Sequence, residues 1–173
     1  MKKVIIIIAL FCSSYVLFGQ GGIEWHTLTE AIELNKAEPR NFIIDVYTDW
    51  CGWCKVMDKK TFSEANVGNY LNDNFYPVKL DAEQRGEIIF KDYTYKFVPN
   101  GSKGYHELAA ALLQGKLSYP TVVFLDEDFN LIQPLPGYRE AKEFHPILTY
   151  FGEDLYKQMA WKDYQSVYES PYN

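Results

Sequence analysis

Cys51 and Cys54, with only Gly52 and Trp53 between them, are the residues in this chain best placed to do chemistry. The apolar run 42–47 before them reads as a buried strand. Val56, Met57, Lys59, Lys60 and Phe62 after them read as a helix. The pair therefore sits where a strand ends and a helix begins. The first helical turn carries unpaired N–H groups and a partial positive charge. A thiolate is stabilised there, and the thiolate is the reactive form of cysteine. Two cysteines at this spacing can also close a small disulfide ring within one turn, which is a site for thiol–disulfide exchange. The other chemistry open to such a pair is half of a zinc site. A structural zinc needs about four Cys or His ligands; the chain has no second Cys-x-x-Cys, and His26, His106 and His145 are scattered. No metal is expected.

The elements that position the pair supply a further polar group. Asp45 lies in the middle of the apolar run, six positions before Cys51. Its apolar neighbours bury it, and burial of an unpaired carboxylate raises its pKa. Lys79, on the next strand, is placed to pair with it.

With Asp45, the run Trp50-Cys51-Gly52-Trp53-Cys54-Lys55 resembles a thioredoxin-family active site, and Tyr119-Pro120-Thr121 before the apolar run 122–125 resembles that family's cis-proline segment. The resemblance spans about residues 23–151 and is nearest to secreted thioredoxin-like proteins with Trp before the second cysteine. It implies a thioredoxin fold: an α/β domain with a central mixed sheet flanked by helices. It implies that Cys51 is the more exposed nucleophile, that Cys54 resolves the mixed disulfide, and that Asp45 accepts the proton of Cys54. It implies a cis peptide before Pro120. Trp50, Gly52, Trp53, Tyr119 and Pro120 then become the substrate-binding surface, with Trp50 and Trp53 as an apolar rim. Trp53 departs from the proline of cytosolic thioredoxins, which leaves the redox potential open. The implied activity is exchange with protein or peptide thiols and disulfides, in the reductase direction, fed by an upstream thiol donor. The cysteine pair is itself the redox centre, so no cofactor is expected. The competing readings are a non-catalytic binding module for extended peptides and a structural domain whose disulfide only stabilises.

Bulk properties agree with one domain. The chain has 173 residues, 47% of them hydrophobic, and a net charge of −6 with no basic stripe, which argues against a nucleic-acid partner. Lys2 and Lys3 precede an apolar stretch, 4–11, and a glycine-rich junction near residue 20. This reads as a secretory signal peptide over residues 1–20, shorter to Phe18 than the ~20 residues of a spanning helix, so no stable membrane insertion follows its cleavage. Export to the periplasm is expected. Cys12 raises a lipoprotein alternative, which bulky Phe11 disfavours. Removal of this segment leaves Cys51 and Cys54 as the only cysteines, which suits exchange better than a stapled scaffold.

The thioredoxin-like domain is expected over 21–173. Residues 23–25 read as a short strand, and Thr27 or Thr29 opens a helix that Pro39 ends. A helix to about residue 62, a second one capped by Ser63, and a strand over 75–80 complete a strand–helix–strand unit. A β-hairpin insert is expected over about 86–100, then a helix over 105–113, an antiparallel pair over 121–125 and 130–135, and a helix over 141–151. An extra amphipathic helix is expected over about 154–168, covering its own domain.

Overall fold

The structure is a computed structural model that describes residues 22–172, so the expected signal segment over 1–20 and Cys12 lie outside the described residues. Helix α1 (Leu28–Ala37) starts at Thr27, which forms a reciprocal capping box with Glu30. The Glu30 N–H donates to the Thr27 hydroxyl at 3.2 Å, and the Thr27 N–H donates to the Glu30 carboxylate at 2.8 Å. Strand β1 (Asn41–Tyr47) follows, then α2 (Gly52–Met57), a π-helical turn (Asp58–Phe62), α3 (Ala65–Asn74) and β2 (Phe75–Asp81). Glu64 rather than Ser63 caps α3, because its carboxylate accepts from the Asn66 N–H at 2.9 Å. The expected strand over 23–25 reduces to one bridge between His26 and Val78.

Two hairpins, not one, fill the insertion. Strands β3 (Ile88–Phe90) and β4 (Tyr93–Tyr95) pair across Lys91 and Asp92, both at positive φ. This left-handed two-residue loop matches the twist of its strands. Strands β5 (Phe97–Asn100) and β6 (Lys103–His106) form the second hairpin. Tyr105 and His106 therefore end a strand rather than start a helix, and α4 covers Glu107–Leu112. The chain closes with β7 (Thr121–Leu125), β8 (Leu131–Pro136), α5 (Ala141–Gly152), a 3-10 turn (Leu155–Lys157) and α6 (Trp161–Val167). The expected long final helix is thus broken into two short pieces. Asp154, at positive φ, begins the first.

The main sheet has the order β2-β1-β7-β8, with β1 parallel to β2 and antiparallel to β7. It is the central mixed sheet of a thioredoxin fold. Alternation along β1 divides the core. Phe42, Ile44 and Val46 pack on one side with Leu28, Val78, Leu108 and Val123. Ile43 packs on the other with Met57, Leu71, Phe75, Phe124 and Phe144. Burial of each large apolar side chain is worth about 2–3 kcal/mol. Asp45 shares the face of Ile43, because residues two apart on a strand point the same way. That is the side on which α2 packs through Met57. The final segment closes onto its own domain: Tyr150 meets Trp161 edge-on and Tyr164 at a tilt, and Tyr164 hydrogen-bonds Thr149.

Candidate active site

Cys51 and Cys54 are joined in a disulfide, with their Cα atoms 5.3 Å apart. Cys51 is the N-cap of α2, and the Cys54 N–H donates to the Cys51 sulfur at 3.1 Å. A first-turn N–H without an intrahelical partner thus points at sulfur. The Cys51 N–H is held by the Thr48 carbonyl at 3.1 Å, which ties the turn to the end of β1. Cys51 is not the more exposed cysteine here. Each is 4% exposed, and one bond joins the two sulfurs. Trp50 and Trp53, at 61% and 62% exposed, carry the open surface instead. Gly52 opens α2 between them, with open space where a Cβ would stand.

The cis-proline segment lies against this rim. The Tyr119–Pro120 peptide is cis, and the Trp50 ring meets Tyr119 edge-on at 5.9 Å between centroids. Burial, helped by Glu83 and Asp81, pushes the Tyr119 phenol up to about 12. The Pro120 carbonyl accepts from the Gly137 N–H at 2.8 Å, and Gly137 takes the positive φ of 88° that this turn needs. Among the described residues, no backbone hydrogen bond between elements engages the N–H or carbonyl of Tyr119. On the other flank, Trp53 stacks at 5.5 Å on Tyr138.

Asp45 is 1% exposed, and its partner across the parallel register is Lys79. The Lys79 ammonium donates to Asp45 Oδ2 at 2.6 Å and to Asp58 Oδ1 at 2.5 Å. It also lies 4.8 Å from the Trp25 ring centroid and 5.2 Å from that of Tyr47. The second carboxylate oxygen of Asp45 is buried without a partner, as is the Thr48 hydroxyl. Desolvation raises the Asp45 pKa although Lys79 pulls it down. Burial alone would lower Lys79, but Asp45 and Asp58 outweigh it and hold the ammonium above its ordinary value. One cation shared by two acids leaves the buried acid under-compensated, and its pKa stays above the ordinary carboxylate value.

Of the residues singled out from the sequence, the structure bonds Cys51 to Cys54, sets Trp50 against Tyr119 and pairs Asp45 with Lys79. It adds three that were not: Asp58, Tyr138 and Lys103, whose ammonium lies 5.9 Å from the Trp50 ring centroid. Asp58 stands four positions after Cys54, and that helical spacing places both on one face. No local pattern marks Tyr138 or Lys103. Among the described residues no group of three or more His, Cys, Asp or Glu gathers as metal ligands would.

Comparison with known proteins bears on the fold and the family. Residues 11–135 match the model of the family described as Thioredox_DsbH, protein of unknown function, DUF255. An uncharacterised Caenorhabditis elegans protein, B0495.5, is 29% identical over 111 residues, which are 64% of this chain and 13% of that protein. The thiol:disulfide interchange protein DsbD of Pectobacterium atrosepticum is 29% identical over 127 residues, 69% of this chain and 18% of DsbD. The chain thus spans under a fifth of the length of these relatives. A solved thioredoxin-fold protein from Helicobacter pylori superposes with a TM-score of 0.57 at 19% identity, covering 74% of this chain and 83% of that one. With its family model matched over most of its length, this chain belongs to the Thioredox_DsbH (DUF255) family of thioredoxin-like proteins.

Proposed function

We propose that this protein is an exported, periplasmic thiol–disulfide oxidoreductase that reduces disulfides in protein or peptide substrates. The observation that carries the reading is the bonded Cys51–Cys54 pair at the start of α2, with the first-turn N–H on the Cys51 sulfur. The likeness to DsbD supports the same chemistry.

The reduced pair begins the cycle. The Cys51 thiolate attacks one sulfur of a substrate disulfide; the substrate S–S bond breaks, and the other substrate thiolate leaves and takes up a proton. Cys51 is now in a mixed disulfide. Cys54 gives its proton to the Asp45 carboxylate, and the resulting thiolate attacks the Cys51 sulfur. The second substrate thiolate leaves and takes up a proton, Asp45 releases the one it accepted, and the protein keeps the new Cys51–Cys54 bond. Two electrons have passed from the pair to the substrate, so a separate dithiol protein must restore the reduced pair. The pair is the only redox group the cycle needs. The Tyr119 backbone and the Trp50 and Trp53 rings hold the substrate chain beside the cysteines, as an added strand does at a sheet edge. Gly52 keeps the approach to the turn open.

Trapping tests this directly. Reduced Cys54→Ser protein mixed with a disulfide peptide should accumulate a Cys51-linked mixed disulfide, read by mass spectrometry, and Cys51→Ser should not. Equilibration of the native pair against dithiothreitol and glutathione should place its potential near that of thioredoxin, about −270 mV. A potential near about −120 mV would make it a disulfide donor instead. A pair that never equilibrates would overturn the exchange reading altogether and leave a binding or structural domain.

A further inference from the structure

The exchange cycle uses nothing from the two inserted hairpins, yet one of them reaches the cysteine turn. In the β5–β6 pair, Val98 stands opposite Tyr105 and Asn100 opposite Lys103. Opposed residues, and residues two apart on a strand, share a face. Val98, Asn100, Lys103 and Tyr105 therefore lie on one side of the hairpin. At the tip of that side, the Lys103 ammonium lies over the Trp50 ring, next to Cys51. At its base, Val98 and Tyr105 line a groove of about 400 Å3 with Tyr93 and Tyr95 of the first hairpin. The other side is committed to the body of the protein. The Phe97 ring covers Gly104, and buried His106 shares a 2.9 Å hydrogen bond with the Gly86 carbonyl. The hairpin is thus anchored by one face, and its free face runs from the Trp50 ring to a tyrosine-lined groove.

Resting on the thiol-exchange reading, we propose that this free face and groove bind an extended segment of the substrate polypeptide and seat one aromatic or aliphatic side chain of it. Tyrosine offers a large, rigid, amphipathic contact at small entropic cost, and three of them converge here. Tyr93 is 55% exposed, so the groove is open to a chain from outside. Continuity with the Trp50 rim favours a polypeptide, since a substrate disulfide has to lie on that same rim. Lys103 and Tyr105 are two steps apart on β6, about 7 Å of rise, so the tip that meets the Trp50 ring and the groove at the base lie along one short stretch of chain. A seated side chain four residues from the target cysteine, roughly 13 Å along an extended substrate, is the spacing tested.

The test uses pre-reduced protein and three disulfides: a cysteine peptide bonded to thionitrobenzoate with Phe four residues to either side, the same peptide with Ser in those places, and free dithiobis-nitrobenzoate. Release of the coloured thiol gives the rates. Native protein should reduce the Phe peptide with kcat/KM at least tenfold above the Ser peptide, mostly through KM. The variant Tyr93→Ser/Tyr105→Ser should erase that preference and keep its rate on the free reagent within about twofold. Equal native rates on the two peptides would overturn the groove, as would a variant that slows on all three substrates alike. Native protein inert even toward the free reagent would instead overturn the exchange reading on which the groove depends.

Discussion

Lys79→Met isolates the electrostatics around buried Asp45. Met keeps an unbranched apolar stem against Trp25, Tyr47 and Phe62, and removes only the ammonium that contacts their rings. Asp45 then loses the single hydrogen bond to Oδ2, while Oδ1 has none already. An ionised carboxylate stranded in a buried site costs about 3–5 kcal/mol. Asp58, half-exposed, loses little. At 2–4 °C per kcal/mol for a domain of this size, Tm should fall by about 6–20 °C at pH 8. The loss must depend on pH. The native pKa of Asp45 is already raised, and without Lys79 it rises further. A raised acid binds its proton more tightly folded than unfolded, so folding stability is lost as pH climbs from the ordinary carboxylate value through the folded one. At pH 5 the variant can protonate Asp45, and the gap to native protein should narrow, by at most about 1.4 kcal/mol per pH unit for a single proton. Thermal unfolding of the oxidised proteins followed by circular dichroism at pH 5, 6.5 and 8 measures this. A loss identical at all three values, or one below about 1 kcal/mol at pH 8, would refute a buried charge held by Lys79.

Two further substitutions probe the same structure from other sides. Asp45→Asn is neutral at every pH, so its stability relative to native protein should rise between pH 4 and pH 8, the reverse of the Lys79→Met trend, as paired unfolding curves would show. The same variant should resolve a Cys51 mixed disulfide about 100-fold more slowly at pH 7, the low end for a positioned base, in stopped-flow measurements. Gly104→Ala would set a Cβ 2.2 Å from the Phe97 ring and 2.5 Å from the Val98 carbonyl oxygen. The backbone oxygen cannot move aside within a paired strand, so about 1–3 kcal/mol of destabilisation is expected. Hydrogen exchange should place it in residues 97–106, with the main sheet unchanged.

Much of this protein is decided by short-range pattern. The near-continuous apolar runs that became β1, broken only by Asp45, and β7 announce strands buried on both faces, because such strands need no polar alternation. The placement of Cys51 and Cys54 at a strand–helix junction follows from the change of periodicity around them. The Thr27–Glu30 capping box is likewise a local signal. Tertiary structure decided the rest. The pairing of Asp45 with Lys79 depends on the parallel register of β1 and β2, set by the packing of both strands and the helices between them. That Lys79 is shared with Asp58 depends on how the π-helical turn after α2 settles over β2. The insertion was legible only as a single hairpin, because Pro99-Asn100-Gly101-Ser102 marks a turn without saying which strand returns from it. The return strand is Lys103–His106, whose Gly104 and buried His106 carry weak strand preference by themselves. They are held by the Phe97 ring and by the Gly86 and Ala82 carbonyls, contacts from distant sequence. Local residue types thus determined which chemistry this chain carries. Long-range pairing alone decided which cation meets buried Asp45 and which hairpin residue meets the Trp50 ring.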